Sequence, residues 1–203
     1  MPRHALAIAA LACLLSGPAL ATQEYILPTL FDVSGVGAGD RLNIRAEPDA
    51  RARIVGTLAP DATGIEVVEE ARGWGRVNVG EATGWVSMRY LSYRTDVWQP
   101  GAVPDGFRCL GTEPFWTVEV DRAGGQVRFS QPDGAESRAL AAILDSGVFR
   151  DPSRAVLAED LTLVATPALC SDGMSDRLFG LRATLILRDG QPRMLSGCCL
   201  IQP

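Results

Sequence analysis

Four cysteines, two of them adjacent, constrain the fold of this chain more than any other feature. The sequence has five cysteines, and apart from Cys13 near the N-terminus they are Cys109, Cys170, Cys198 and Cys199. Adjacent residues on a β-strand point to opposite faces, so Cys198 and Cys199 are expected to reach different partners. This predicts two disulfide bonds, either 109–198 with 170–199 or 109–199 with 170–198. A zinc site is the alternative, but the paired Cys-x-x-Cys spacing is absent, and we expect no metal.

Residues 1–21 have the pattern of a secretory signal peptide. A positively charged start precedes the apolar run ALAIAALACLL, and Ala19-Leu20-Ala21 is a small-residue cleavage site. The apolar run is too short for a transmembrane helix, and we expect no membrane-spanning segment in the mature chain. Cys13 lies in the context AALAC, which has no leucine at the position usual for a lipid-modified cysteine, so we expect no lipid anchor. These features predict a periplasmic or secreted protein, cleaved near Ala21.

The composition excludes several kinds of chemistry. The formal charge is −5, and it becomes −6 once Arg3 is removed with the leader. An acidic chain is a poor candidate for binding nucleic acid. All 19 basic residues are arginine, and the one histidine is His4, within the leader. Lysine Schiff bases, catalytic triads and histidine-ligated metals are therefore excluded from the mature chain. We expect a protein that is not an enzyme and that uses no cofactor.

Residues 22–93 contain short β-type runs separated by glycine, proline and aspartate. In LNIR, Leu42 and Ile44 alternate with polar residues, which is typical of a half-buried strand. Five such runs predict a small barrel: LNIR, IVGTL, IEVVEE, WGRVNV and GWVSM. Residues 94–106 are interrupted by prolines and glycines and predict a linker, with Trp98 docked on a domain face.

Residues 107–203 continue the alternation and predict a second, mostly antiparallel β domain. The clearest hairpin is WTVEVDRAGGQVRFSQP, and Asp189-Gly190 turns the last pair of strands. The segment SRALAAILDSG fits either a strand or one helical turn. The predicted fold class is mainly β, an SH3-like small barrel followed by a disulfide-stapled antiparallel β-barrel-like domain.

Several separated motifs in the first barrel resemble a known family. LNIRAEP with IVGTL resembles the opening of a bacterial SH3 (SH3b) domain, and Gly73-Trp74, Gly84-Trp85-Val86 and Tyr90-Leu91 resemble its closing pattern. Members of that family are exported, and the resemblance implies binding of peptidoglycan or its peptides. Trp74, Trp85 and Tyr90 are the candidate ligand-binding residues. The alternative interpretation is that Trp85 packs in the core and Trp74 covers a barrel end.

Three stretches of the second domain resemble a family of uncharacterised bacterial envelope proteins and lipoproteins. They are GTEPFW, CSDGMSDR and the Gly197-Cys198-Cys199 end. The resemblance implies a shared fold and disulfide framework and no established activity. The motif residues to which it assigns a structural role are Gly111, Pro114, Phe115, Trp116, Asp172, Gly173, Asp176 and Arg177.

Glu113 is the candidate ligand-binding residue of the second domain. Pro114 disfavours a helical conformation before it, so the segment is expected to be extended with Phe115 and Trp116 on opposite faces. The leading interpretation is structural: Glu113 joins the SDGMSD loop to the strand start, with Arg177 and loop N–H groups as donors. The alternatives are a binding acid in a pocket and a catalytic acid. For the loop itself, a turn at Asp172 is favoured over a calcium site.

The predicted function is binding in the cell envelope. The SH3-like domain would engage peptidoglycan peptide or an envelope protein, and the second domain another ligand or partner. One alternative is a cell-wall hydrolase that pairs Glu113 with Asp172 or Asp176. The other is an inhibitor of wall-degrading enzymes, since small exported barrels include lysozyme inhibitors and this likeness is architectural.

Overall fold

A computed structural model describes residues 25–122, 125–132, 134 and 136–202. The expected signal peptide, with Cys13 and the cleavage site after Ala21, lies outside the described residues. Within the described ranges the regular structure is β-strand, apart from a 3-10 turn at Met88–Tyr90. The mainly β fold class is confirmed.

The N-terminal barrel has eight strands in two sheets. They are β1 (Thr29–Val33), β2 (Leu42–Arg45), β3 (Ile54–Leu58), β4 (Ile65–Val67), β5 (Glu69–Ala71), β6 (Trp74–Val79), β7 (Ala82–Ser87) and β8 (Leu91–Tyr93). One sheet has the order β4-β1-β8 and the other β3-β2-β7-β6-β5. The predicted count of five strands was wrong. The structure adds β1 and β8, and it divides IEVVEE because β4 pairs in one sheet and β5 in the other.

Alternating residues of these strands form the core of the N-terminal barrel. Leu42 and Ile44 are buried as predicted, while Asn43 and Arg45 face outward. The fully enclosed members of this cluster are aliphatic or aromatic: Phe31, Val33, Leu42, Ile44, Ile65, Val67, Val77 and Val86. The polar residues between them are thereby left on the outer face, where a ligand can reach them.

The C-terminal barrel is a nearly closed, antiparallel sheet of nine strands. They are β9 (Arg108–Thr112), β10 (Phe115–Val120), β11 (Gln126–Ser130), β12 (Ser137–Leu140), β13 (Ala142–Asp145), β14 (Arg154–Leu157), β15 (Leu161–Cys170), β16 (Phe179–Leu187) and β17 (Arg193–Leu200). Their order is β12-β11-β10-β9-β17-β16-β15-β14-β13. The predicted hairpin is the β10–β11 pair, although Ala123 and Gly124 of its turn lie outside the described residues. The ambiguous segment SRALAAILDSG forms strands β12 and β13.

Two disulfides, Cys109–Cys199 and Cys170–Cys198, join these strands. Two disulfides were predicted, and the structure selects the second of the two connectivities left open by the sequence. The register of β17 on β9 places Cys199 directly opposite Cys109. Cys199 belongs to the barrel core, whereas Cys198 packs in a separate cluster with Phe179. The side chains of the adjacent cysteines therefore lie on opposite faces of one strand, as strand geometry predicts.

Trp116 lies inside the C-terminal barrel, across two glycines. Its side chain is 2% exposed. A Cβ at Gly111 would lie 2.0 Å from the indole Nε1, and one at Gly197 would lie 2.6 Å from Cζ2. Neither position therefore accepts a side chain while the indole stays in place. Phe115, the preceding residue, faces outward with 50% of its surface exposed, which confirms the predicted opposite faces.

Residues 94–106 pack against the C-terminal barrel. Trp98 is buried in the core cluster of that barrel, which confirms that it is docked. Arg154 is 4% exposed, and its guanidinium donates to the carbonyl oxygens of Gln99 and Ala102 at 3.0 and 2.7 Å. The same guanidinium lies 4.9 Å from the Trp98 ring centroid. These contacts hold the segment to the barrel along its length.

The two barrels contact each other through both apolar and polar groups. Leu30, on β1 of the first barrel, joins the core cluster of the second. The indole N–H of Trp98 donates to the carbonyl oxygen of Pro28 at 2.8 Å. A Cβ at Gly180 would lie 2.4 Å from the Pro28 Cβ, so the strands approach closely there. The candidate sites on the two barrels are thus held in a defined relative position.

Candidate functional site

The outer surface of the N-terminal barrel carries a depression of about 430 Å³. We call it the aromatic depression; it is lined by Gly35, Val36, Gly37, Asp40, Arg41, Leu42, Asn43, Arg45, Ala50, Trp74, Ser87, Arg89 and Tyr90. Trp74 and Tyr90, two of the candidate residues, are therefore brought together. Trp74 faces outward because its neighbour on β6, Gly75, is buried against Val67 and Met88.

Three arginines surround these aromatic side chains, and the structure orients each of them. The Nε of Arg41 donates to Thr57 Oγ1 at 2.8 Å, and Nη1 of Arg45 donates to the Ala52 carbonyl at 2.7 Å. The guanidinium of Arg89 lies 5.9 Å from the Tyr90 ring centroid. Asp40 is the one acid in the lining, and its Oδ1 accepts the backbone N–H of Arg41 at 2.7 Å. The depression is thus cationic with aromatic walls.

Trp85 lies beside the aromatic depression and does not line it. The interpretation that Trp85 packs in the core was wrong, because Gly84 and Val86 on either side of it are the buried residues of β7. Trp85 instead faces outward, directly opposite Arg45 on one neighbouring strand and Arg76 on the other. The Arg76 guanidinium lies 5.4 Å from the Trp85 ring centroid. This outer face therefore continues the pattern of aromatic and cationic side chains.

A second concavity, of about 960 Å³, lies on the outside of the C-terminal barrel. We call it the barrel groove; it is lined by Leu110, Gly111, Thr112, Glu113, Phe115, Leu169, Cys170, Ser171, Asp172, Gly173, Met174, Arg182, Ser196, Gly197 and Cys198. All three motifs of this domain meet here. They come together because β9 lies next to β17, and because the Cys170–Cys198 disulfide joins the end of β15 to β17.

Glu113 lies at the rim of the barrel groove, in the two-residue turn between β9 and β10. Its peptide bond to Pro114 is cis, and its side chain is exposed. Within the described residues Glu113 has no hydrogen-bond or ion-pair partner. The link to the SDGMSD loop exists, but Thr112 makes it, because its hydroxyl donates to the Asp172 carbonyl at 2.9 Å. The interpretation of Glu113 as that link was therefore wrong.

Asp172 closes the SDGMSD loop on itself. Its Oδ1 accepts the N–H groups of Met174 and Ser175, each at 3.0 Å, and Oδ2 accepts the Ser175 hydroxyl at 3.1 Å. Burial opposes ionisation, but these donors outweigh it and hold the pKa of Asp172 below its usual range. Gly173 has a φ of 72°, the left-handed conformation that favours glycine. The carboxylate is thus used by the turn, and its low pKa does not suit a general acid.

Asp176 and Arg177 interact with the N-terminal barrel and not with Glu113. The backbone N–H of Asp176 donates to the Glu81 carbonyl at 3.0 Å. The guanidinium of Arg177 lies 5.4 Å from the Phe179 ring centroid, and its charge acts on Glu66 of the first barrel. Both residues therefore hold the loop against the N-terminal barrel.

Sequence reasoning did not find the arginines of either site. Arg41, Arg45 and Arg89 are scattered along the sequence, and only the folded barrel brings them around Trp74. Arg182 did leave a signal, because it interrupts the uncharged strand FGLRATLIL.

Comparison with known proteins finds a similarity in the N-terminal barrel. The family model of the bacterial SH3 domain matches residues 40–92. No curated protein and no solved structure has a significant match to the chain. Among the described residues, no helix is long and apolar enough to span a membrane. Residues 40–92, which carry Trp74, Trp85 and Tyr90 of the predicted site, are therefore similar to a bacterial SH3 domain, which supports the resemblance found in the sequence.

Proposed function

We propose that this protein is an exported, non-enzymatic binding protein of the cell envelope. Its bacterial SH3 domain would hold the peptide part of peptidoglycan in the aromatic depression. An extracytoplasmic location agrees with the two disulfides, because such bonds persist in oxidising compartments.

The observation that carries this proposal is the charge of the aromatic depression. Three arginines and one aspartate line it, in a chain whose formal charge is −5. Peptidoglycan peptides carry free carboxylates, and guanidinium groups bind carboxylates through paired hydrogen bonds. Trp74 and Tyr90 supply flat apolar surfaces against which the small side chains of such a peptide pack.

The test is co-sedimentation of the mature chain, residues 22–203, with purified peptidoglycan. Saturable binding is expected, and Trp74→Ala should weaken it about tenfold because the indole is a wall of the depression. Arg53→Ala is the matched control. Arg53 is an exposed arginine of the same domain that does not line the depression, so its removal should leave binding unchanged.

A second arm tests the charge directly. Peptidoglycan whose carboxylates have been amidated should bind much more weakly, since the arginines lose their anionic partners. If the protein bound neither the untreated nor the amidated peptidoglycan, the proposal would be contradicted. Binding that survives both amidation and Trp74→Ala would also contradict it, because the aromatic depression would then not be the site.

A further inference from the structure

We propose that the barrel groove is a second binding site, for a peptide segment that ends in a free carboxylate next to an apolar side chain. The site lies on the C-terminal barrel, and it is independent of peptidoglycan binding in the aromatic depression of the N-terminal barrel.

Nine outward positions of the three strands beside the groove hold one charged side chain. Register places nine outward residues of β15, β16 and β17 in three rows across the sheet. The rows are Thr162–Ile186–Met194, Val164–Thr184–Ser196 and Thr166–Arg182–Cys198. Arg182 is the only charged member of the nine, and it lines the groove together with Cys198 of its row.

Arg182 has no acidic partner within the described residues. The two acids that line the groove with it are Asp172 and Glu113. Both carboxylate oxygens of Asp172 are occupied by its own turn, and Glu113 makes no ion pair there. The planar guanidinium offers five N–H donors in a fork that fits one carboxylate. A guanidinium without an ion-pair partner therefore favours a ligand with a single anionic group.

Three apolar side chains that line the groove are exposed. Phe115 is 50% exposed, Leu169 45% and Met174 67%. The volume of about 960 Å³ lies within the range of ligand pockets, which are mainly apolar with a few polar groups. Methionine is flexible and polarizable and adapts to different apolar partners. The body of the ligand is therefore apolar.

The remaining polar groups favour a peptide over an alkyl chain. The Glu113 carboxylate and the Ser196 hydroxyl line the groove, and neither has a hydrogen-bond partner in the described part of the chain. A carboxylate accepts hydrogen bonds only, so a ligand that covers Glu113 must carry donors. The backbone N–H groups of a peptide supply them, whereas a fatty acid has none.

The walls of the groove are held in place before any ligand binds. The Cys170–Cys198 disulfide closes one side, and the Thr112 hydroxyl holds the Asp172 carbonyl at 2.9 Å. On the far side of the loop, the Asn78 side chain bonds both backbone groups of Leu178. Less ordering is then required on binding, which favours affinity.

The test is calorimetric titration of residues 22–203 with mixed N-acetylated tripeptides ending in leucine, phenylalanine or methionine. The mixture is used as free acids and as C-terminal amides. The free acids are expected to bind at least tenfold more tightly than the amides. Arg182→Ala should remove that preference, and Arg182→Lys should retain part of it. Arg138→Ala, an exposed arginine on β12, is the matched control and should behave as the wild type.

Nuclear magnetic resonance of the labelled protein locates the ligand. The largest shifts on adding the free acids are expected at Phe115, Leu169, Met174 and Ser196. Equal affinity for acids and amides would overturn the proposal, as would no binding of either mixture. An equal loss in Arg138→Ala and Arg182→Ala would also overturn it, because attraction would then be a property of the whole surface.

Discussion

The interior of the C-terminal barrel and the interface between the two barrels are held together by different forces. The interior is apolar, enclosed and closed by the Cys109–Cys199 disulfide, and Trp116 lies across it. The interface combines the apolar contact of Leu30 with several single polar contacts. These contacts are Trp98 with Pro28, Asn78 with Leu178, Asp176 with Glu81, and Glu66 with Ile201.

Glu66 shows the contrast most clearly. It extends from β4 of the first barrel, is 4% exposed, and accepts the backbone N–H of Ile201 at 3.3 Å. Its Oε1 has no partner among the described residues. Burial raises the pKa of Glu66 to about 7, although the N–H groups of Ile201 and Gln202 and the charge of Arg177 oppose the rise. The comparison teaches that, among the described residues, the interior cluster contains no titrating side chain, whereas the interface contains a buried carboxyl group whose pKa is raised.

The largest expected effect comes from the disulfides. Cys109 and Cys199 are separated by 90 residues, and Cys170 and Cys198 by 28. The chain-entropy model assigns about 4.5 kcal/mol to the first bond and about 3.5 kcal/mol to the second. Replacing Cys109 and Cys199 by alanine should also leave unfilled space in the core, so its cost is the larger. Urea unfolding of both double-alanine variants measures the difference in the free energy of unfolding. A larger loss for the Cys170–Cys198 pair would contradict this prediction.

Glu66→Gln should remove a pH dependence of about 3 kcal/mol in the free energy of unfolding. The folded pKa of Glu66 is about 7, against an ordinary value of 4.5, so the folded protein binds a proton that the unfolded chain has released. Stability therefore falls as pH rises from about 4.5 to 7 and stays constant above. Urea unfolding at pH 5 and pH 8 should show a wild-type loss that the variant lacks.

The control for this pH dependence is Glu47→Gln, at an exposed glutamate of the same barrel. It should retain the wild-type difference between pH 5 and pH 8. If Glu66→Gln and Glu47→Gln gave the same pH dependence as the wild type, the interface would not titrate through Glu66.

The smallest expected effect is that of Asn78→Ala, which should lower the stability of the contact between the barrels by about 1 kcal/mol or slightly more. Asn78 Nδ2 donates to the Leu178 carbonyl at 2.8 Å, and Oδ1 accepts the Leu178 N–H at 3.0 Å. Losing both should speed hydrogen exchange at Leu178 about tenfold while the barrel core stays protected. Asn43→Ala, at the only other asparagine of the chain, should leave that exchange unchanged. Slow exchange in both variants would show that the loop is held by other contacts.

Much of the fold followed from alternation along single strands. The hairpin of β10 and β11, the last strand pair, and the outward Phe115 with inward Trp116 were all predicted, because each depends only on neighbouring residues. The division of IEVVEE was missed because it depends on which sheet each half joins.

The candidate sites were less predictable than the strands. Trp74 and Tyr90 were found through a family resemblance, and the structure brings them together. The orientation of Trp85 was misjudged, because a tryptophan in an apolar run resembles a core residue until Gly84 and Val86 are seen to fill the inward positions. The role given to Glu113 belongs to its neighbour Thr112, and no local pattern distinguishes the two.

The sequence alone predicted that Cys198 and Cys199 bond to different partners and not to each other, since consecutive side chains of a strand point to opposite faces. It also excluded histidine and lysine chemistry from the predicted mature chain, because composition does not depend on folding. The tertiary structure decided the disulfide pairing, through the register of β17 on β9. It also decided which arginines lie near Trp74, and that Arg182 has no acidic partner among the described residues. Residues distant in sequence become neighbours only when strands pair.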